Sequence, residues 1–293
     1  MTLRSRPPDK RLSSRRWSRV LARDAPSNTL VRPLAGVAPA LAALLALFLM
    51  VVGVSPATAA PVAPPVDFTD NQIARGFMLT VFGREGPASS QAAGHYVNKF
   101  VDPVGVQVLD ASGVAGRAEE VAGFVGLLDR IVPNLKIRMA EKPEKARLFV
   151  FLVNRSNYRK VIADALPRGA EATFMERSRC SAVMWNRTTG VLDRAYIFIL
   201  ADKGQKTFTS CLAEELTQAL GPANDSSKLP YSLYNDDNDV GTFGLFDWYI
   251  LATLYDDAMM PGMNADEALS VLPGAIARAR DFAPRVRPLL GPP

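Results

Sequence analysis

Histidine and cysteine are almost missing from this chain of 293 residues: it has one His, His95, and two Cys, Cys180 and Cys211. Structural zinc needs about four tightly held ligands, drawn mostly from His and Cys. One imidazole and two thiols do not close such a shell, so a Cys–Cys zinc pair has nothing to complete it. Basic charge is also missing where a nucleic-acid site would need it. The chain totals +5, but residues 1–33 hold nine Lys/Arg and two Asp, which is +7 and leaves −2 for the rest. The sequence pI of about 9.3 therefore belongs to the leader, and the remainder carries no expectation of binding nucleic acid. Residues 34–59 have no charged side chain at all.

That uncharged stretch is the first positive signal. Leu34 to Val54 is apolar, densest from Ala40 to Val52, and Ser55-Pro-Ala57-Thr58-Ala59-Ala60 follows. A basic segment, an apolar core and a small-x-small site read as a secretory signal peptide, cut after Ala59. An uncleaved anchor is the alternative, because a span needs about 20 apolar residues, and the Arg-rich side then stays cytoplasmic. Ser14-Arg15-Arg16-Trp17 resembles a twin-arginine signal but lies far from the apolar core. Either way, residues 60–293 are expected outside the cytoplasm, periplasmic or extracellular, with the membrane met only through 34–54 if these stay attached. Residues 60–68 read as a Pro/Ala-rich linker and 69–293 as one domain. In an exported chain an even Cys count favours a Cys180–Cys211 disulfide, with two buried thiols as the alternative.

The domain reads as α+β. Thr69 caps a helix through Phe82, with Ile73, Phe77 and Val81 at helical spacing. Strands are expected over Val104–Leu109, Leu135–Met139, Arg147–Asn154, Cys180–Trp185 and Ala195–Ala201. Helices are expected from Ala115 to Ile131 and from Ser156 to Leu166. A helix capped by Thr209 or Ser210 runs to Leu220, another covers Gly244–Tyr255, and the last runs from Asn264 to Arg280. The order is that of a mixed sheet with one long helix crossing it.

That crossing helix carries the chain's most specific pattern, Cys211-Leu-Ala-Glu214-Glu215-Leu-Thr-Gln218-Ala-Leu-Gly221-Pro-Ala-Asn224-Asp225. It has the spacing of the zinc-peptidase helix HExxHxxGxx(H/D). Glu214, Gln218 and Asn224 stand at the three metal-ligand positions, Glu215 at the general base and Gly221 at the turn. With the element order, the run looks like a zincin, and within zincins a metzincin-like domain. Ser232-Leu233-Tyr234 and Leu245–Tyr255 resemble the post-helix turn and C-terminal helix of that group, although Leu233 and Tyr234 replace the expected methionine. The whole run, with Tyr255-Asp and Pro261-Gly-Met263, also resembles an uncharacterised exported bacterial family, domain of unknown function 2927, over roughly residues 70–270.

The chemistry of the pattern departs from the peptidase. Positions 214 and 218 lie one turn apart on a shared helix face, and here they offer oxygen rather than imidazole nitrogen. Such donors suit Ca²⁺, Mg²⁺ or Mn²⁺ far better than zinc. No resident cofactor is expected. The favoured expectation is a non-catalytic relative using the old cleft to bind a peptide, an envelope polymer or a partner protein. The alternative is a hydrolase with a hard-metal or metal-free carboxylate site, with Glu215 as base and Glu214, Gln218 and Asn224 positioning metal or substrate. The plainest alternative is an ordinary core helix with Leu212, Leu216, Ala219 and Leu220 packed inward. Asn235-Asp-Asp-Asn-Asp239 is read as a solvated acidic loop, since it lacks the ordered spacing of a calcium loop. Trp185, Trp248, Tyr249 and Tyr255 read as core.

Overall fold

A computed structural model describes residues 67–82, 95–166, 178–235, 237 and 240–290. The signal segment, the linker up to Val66 and three members of the acidic run, Asp236, Asn238 and Asp239, lie outside the described residues.

Helix α1 (Asp70–Val81) begins on a capping box, with Thr69 and Gln72 each satisfying the other's backbone N–H; the two donors that a helix start leaves over are thereby met. Its periodic residues Ile73, Phe77 and Val81 are buried. Strand β1 (Val104–Ala111) leads to α2 (Arg117–Ile131), β2 (Ile137–Met139), β3 (Ala146–Val153), α3 (Tyr158–Ala165), β4 (Cys180–Thr188), β5 (Val191–Leu200) and α4 (Gln205–Gln218). Helices α5 (Leu245–Leu254) and α6 (Ala265–Val286) complete the order.

The five strands form one mixed sheet in the order β2-β1-β3-β5-β4. The first three pairings are parallel, and β4 runs antiparallel along β5 as the edge strand. The apolar run of β3 explains its central place, because a strand covered on both faces has no polar side to alternate. Leu148, Val150 and Leu152 join the main core beneath α1, α2, α4 and α5, while Phe151 and Val153 join a second core closed by Tyr158, Val161 and Ile162 of α3. The same alternation divides β4: Cys180, Ala182 and Met184 face α4, whereas Val183 and Trp185 face the α3 side.

Four boundaries differ from the sequence reading by about three residues or more. Helix α4 starts at Gln205, not after Thr209 or Ser210, and its N-cap is Gly204 at φ 90° with no side-chain cap. The left-handed backbone that glycine tolerates turns the chain there, leaving Thr209 to accept a hydrogen bond from Gln205 inside the first turns. Strands β4 and β5 extend toward each other until only Thr189 and Gly190 lie between them, with register shifts beside Asn186. Helix α6 runs past Arg280 to Val286 although it contains Pro273 and Pro284; Ala283 and Val286 continue the buried stripe and outweigh the lost donors.

The two cysteines are joined. Cys180 of β4 and Cys211 of α4 form a disulfide, with Cα atoms 5.7 Å apart and a sequence separation of 31. Closing a loop of this length contributes about 3–4 kcal/mol in the chain-entropy picture. Trp248, expected in the core, is fully buried and donates from Nε1 to the Ile131 carbonyl at 2.7 Å. His95 is exposed.

Candidate functional site

The motif lies on the second half of α4 and the turn after it. Glu214 is half-buried, while Glu215, Gln218 and Asn224 are 6%, 8% and 7% exposed. Such burial requires polar partners for these side chains. Gln218 donates from Nε2 to Asp225 Oδ1 at 2.7 Å. Asn224 donates from Nδ2 to the Leu79 carbonyl at 2.8 Å and to the Asp225 carbonyl at 2.9 Å, and its backbone N–H reaches the Thr80 carbonyl. Asn224 is thus a strap that ties the post-helix loop to the end of α1. Asp225, one residue on, is the group that meets the second ligand position.

Gly221 makes the turn at φ 140°, where a side chain would run into the Asn98 carbonyl. That close approach requires glycine. Its N–H donates to the Gln218 carbonyl and closes the last turn of the helix.

Glu215 lies one helical turn beyond Cys211, on the side that the disulfide ties to β4. Tyr158, at the start of α3, senses it from beyond the strand. Burial is the main cause that pushes the Tyr158 hydroxyl up to about 12; the Ser181 hydroxyl beside it acts the other way, and the Glu215 charge adds to the rise. Tyr158 Oη and Ser181 Oγ are 3.5 Å apart. Neither residue stands out in the sequence, because each reaches the site from a different element.

Beneath the helix, Tyr234 is wholly buried. Its ionisation is pushed well above the usual phenol range, first by burial and then by the charge of Asp247, with Asp225 and Glu214 adding smaller contributions. The turn Ser232–Tyr234 is locked by α5. Asp247 accepts from Ser232 Oγ at 2.6 Å, from the Leu233 N–H at 3.1 Å and from the Gly244 N–H at 3.1 Å. Burial still pushes the Asp247 carboxyl up to about 7, against the pull of these donors. The sequence reading placed the turn and the helix but missed the carboxylate that joins them.

Among the described residues, no group of three or more His, Cys, Asp and Glu side chains converges as a metal site would. Two concave spots, of about 180 and 250 Å³, lie at the start of β1 and beside the end of α5, away from the motif. Both are smaller than the roughly 300–1,000 Å³ usual for small-molecule pockets. In the acidic run, Asn235 is buried and donates to the Leu229 carbonyl.

Fold and site together define an α+β protein with a five-stranded mixed sheet and a disulfide-tied helix whose motif positions carry carboxylates and amides. Residues 70–274 match the family described as protein of unknown function (DUF2927), and the chain belongs to that family. No curated protein and no solved structure matches it. Among the described residues, no helix is long and apolar enough to cross a membrane.

Proposed function

We propose that this is an exported, zincin-like protein whose ancestral peptidase site has become a non-catalytic groove for an extended chain: a peptide, an envelope polymer or a segment of a partner protein. The observation that carries this reading is the use of the motif amides inside the fold. Gln218 spends its Nε2 on Asp225, and Asn224 spends its Nδ2 and its backbone N–H on carbonyls at the end of α1 and in the post-helix loop, so both residues act as ties within the fold while the amide oxygens, the atoms a metal would take, are not used in these bonds. Strand β4 supplies the other wall. It is the last strand of the described sheet, pairs with β5 alone, and is partly exposed along its length. Extended chains bind such edges through main-chain hydrogen bonds, with alternate side chains setting specificity. The order β2-β1-β3-β5-β4, with its antiparallel edge beside the motif helix, fits the zincin-like reading that the motif spacing suggested. Export fits the disulfide, which persists in oxidising compartments.

The test has two arms. Elemental analysis of protein purified without chelators is expected to find less than stoichiometric zinc, and stoichiometric zinc would overturn the degenerate-site argument. Titration with extended peptides, followed by Trp185 fluorescence, is expected to give a saturable change that Ala182→Pro abolishes, because the pairing register turns the Ala182 N–H away from β5 and proline there removes an outward ladder donor. Calcium or manganese retained at one equivalent and lost in Glu214→Ala would instead favour the hydrolase with Glu215 as base.

A further inference from the structure

The Cys180–Cys211 bond joins the two walls of that groove. Helix α4 is the fixed wall, since it is pinned at both ends. At its start, Gln205 accepts from Arg117 and donates to Glu120 of α2; at its end, Gln218 holds Asp225. Strand β4 is held less evenly. Its leading half pairs regularly with β5, from Cys180↔Ile199 to Trp185↔Arg194, and the register then shifts beside Asn186. No second strand of the described sheet supports it from outside. The disulfide is the covalent tie at its leading end, one turn before Glu215.

We infer that Cys180–Cys211 is a redox-sensitive clamp that sets the spacing between the leading half of β4 and the Glu214–Gln218 face of α4. Reduction by an external dithiol frees the strand as far as the Asn186 irregularity. Cys180 is half-buried and Cys211 is 4% exposed, so the reductant meets Cys180 first. One thiolate of the dithiol attacks the Cys180 sulfur, and Cys211 leaves as a thiolate that takes up a proton. The second dithiol sulfur then displaces Cys180, which is also protonated, and the reductant closes its own disulfide. Two electrons and two protons pass to the protein. The effect on ligand binding rests on the groove reading above; the clamp itself does not.

Hydrogen exchange on the full chain, oxidised and after dithiothreitol, tests the clamp without any ligand. Amides of residues 181, 183 and 185, which the pairing register directs at β5, are expected to exchange about tenfold faster or more after reduction, while β3, β5 and α4 stay within about twofold, as local opening below the global limit requires. The double substitution Cys180→Ser with Cys211→Ser is expected to give the same pattern without reductant. Unchanged exchange in β4 would overturn the proposal. So would an even rise through β3, β4, β5 and α4 on reduction, which marks a staple of the whole fold. If exchange behaves as expected but peptide affinity is the same in both redox states, the clamp stands and the groove reading fails.

Discussion

Replacing Asn224 by Asp separates a structural strap from a vestigial ligand. In the HExxHxxGxx(H/D) pattern an acid at this position is a metal ligand, so on that reading the change is harmless or favours metal. The observed geometry says otherwise. Asn224 is 7% exposed, and its Nδ2 donates to the Leu79 and Asp225 carbonyls at 2.8 and 2.9 Å. A carboxylate there would face two carbonyl oxygens with no proton to share. Each lost hydrogen bond costs about 1 kcal/mol net, and an uncompensated buried charge raises the total to about 3–5 kcal/mol. At roughly 2–4 °C per kcal/mol, the melting temperature should fall by about 6–20 °C. The sign with pH follows from the same contacts. The folded state raises the new carboxyl's pKa above its unfolded value near 4, so the folded chain holds a proton that the unfolded chain has released. The deficit of the variant should therefore grow as pH rises through and above 4, and be smallest in acid. Urea denaturation of both proteins at pH 5 and pH 8 measures it, with Asn224→Ala as the control for loss of the donors alone. A variant within about 1 kcal/mol of the parent at pH 8 would refute the reasoning.

Three further outcomes follow from buried groups. With its carboxyl raised to about 7, Asp247 is expected to make stability fall as pH rises from about 4 to about 7, by at most about 1.4 kcal/mol per unit. Asp247→Asn should remove that slope while losing the acceptor for the Gly244 N–H, and an unchanged slope in denaturation midpoints would refute it. Glu215→Gln should lower the pH at which Tyr158 ionises, because the Glu215 charge adds to the rise; ultraviolet difference titration against Tyr158→Phe reads this, and no shift would place Glu215 elsewhere. Trp248→Phe should cost about 2–4 kcal/mol, from the lost bond to the Ile131 carbonyl and the space left behind. A loss below about 1 kcal/mol in thermal denaturation would argue that the core closes over the gap.

Legibility in the sequence tracked the range of the interactions. The starts of α1 and α6 were readable because their capping boxes, Thr69 with Gln72 and Asn264 with Glu267, span three residues. Strand β3 was readable because its apolar run has no polar alternation. The start of α4 was not, because Gly204 caps it by backbone conformation and its anchor on Arg117 lies 88 residues away. At the site, Gly221 was legible from spacing. The role of Asn224 was not, since Leu79, which decides it, is 145 residues distant.

The sequence by itself determined the α+β order of elements, the motif spacing and the near-absence of nitrogen and sulfur ligands, since each is written in residue type and interval. Only the tertiary structure decided what the motif side chains do. Burial forces each polar group to find a partner: Gln218 takes Asp225 of the loop that follows, and Asn224 takes the Leu79 carbonyl of α1, an element that the chain brings to it only on folding. The Cys180–Cys211 bond falls between the two: the cysteine count suggested it, and the packing of the edge strand against α4 places it one helical turn before Glu215.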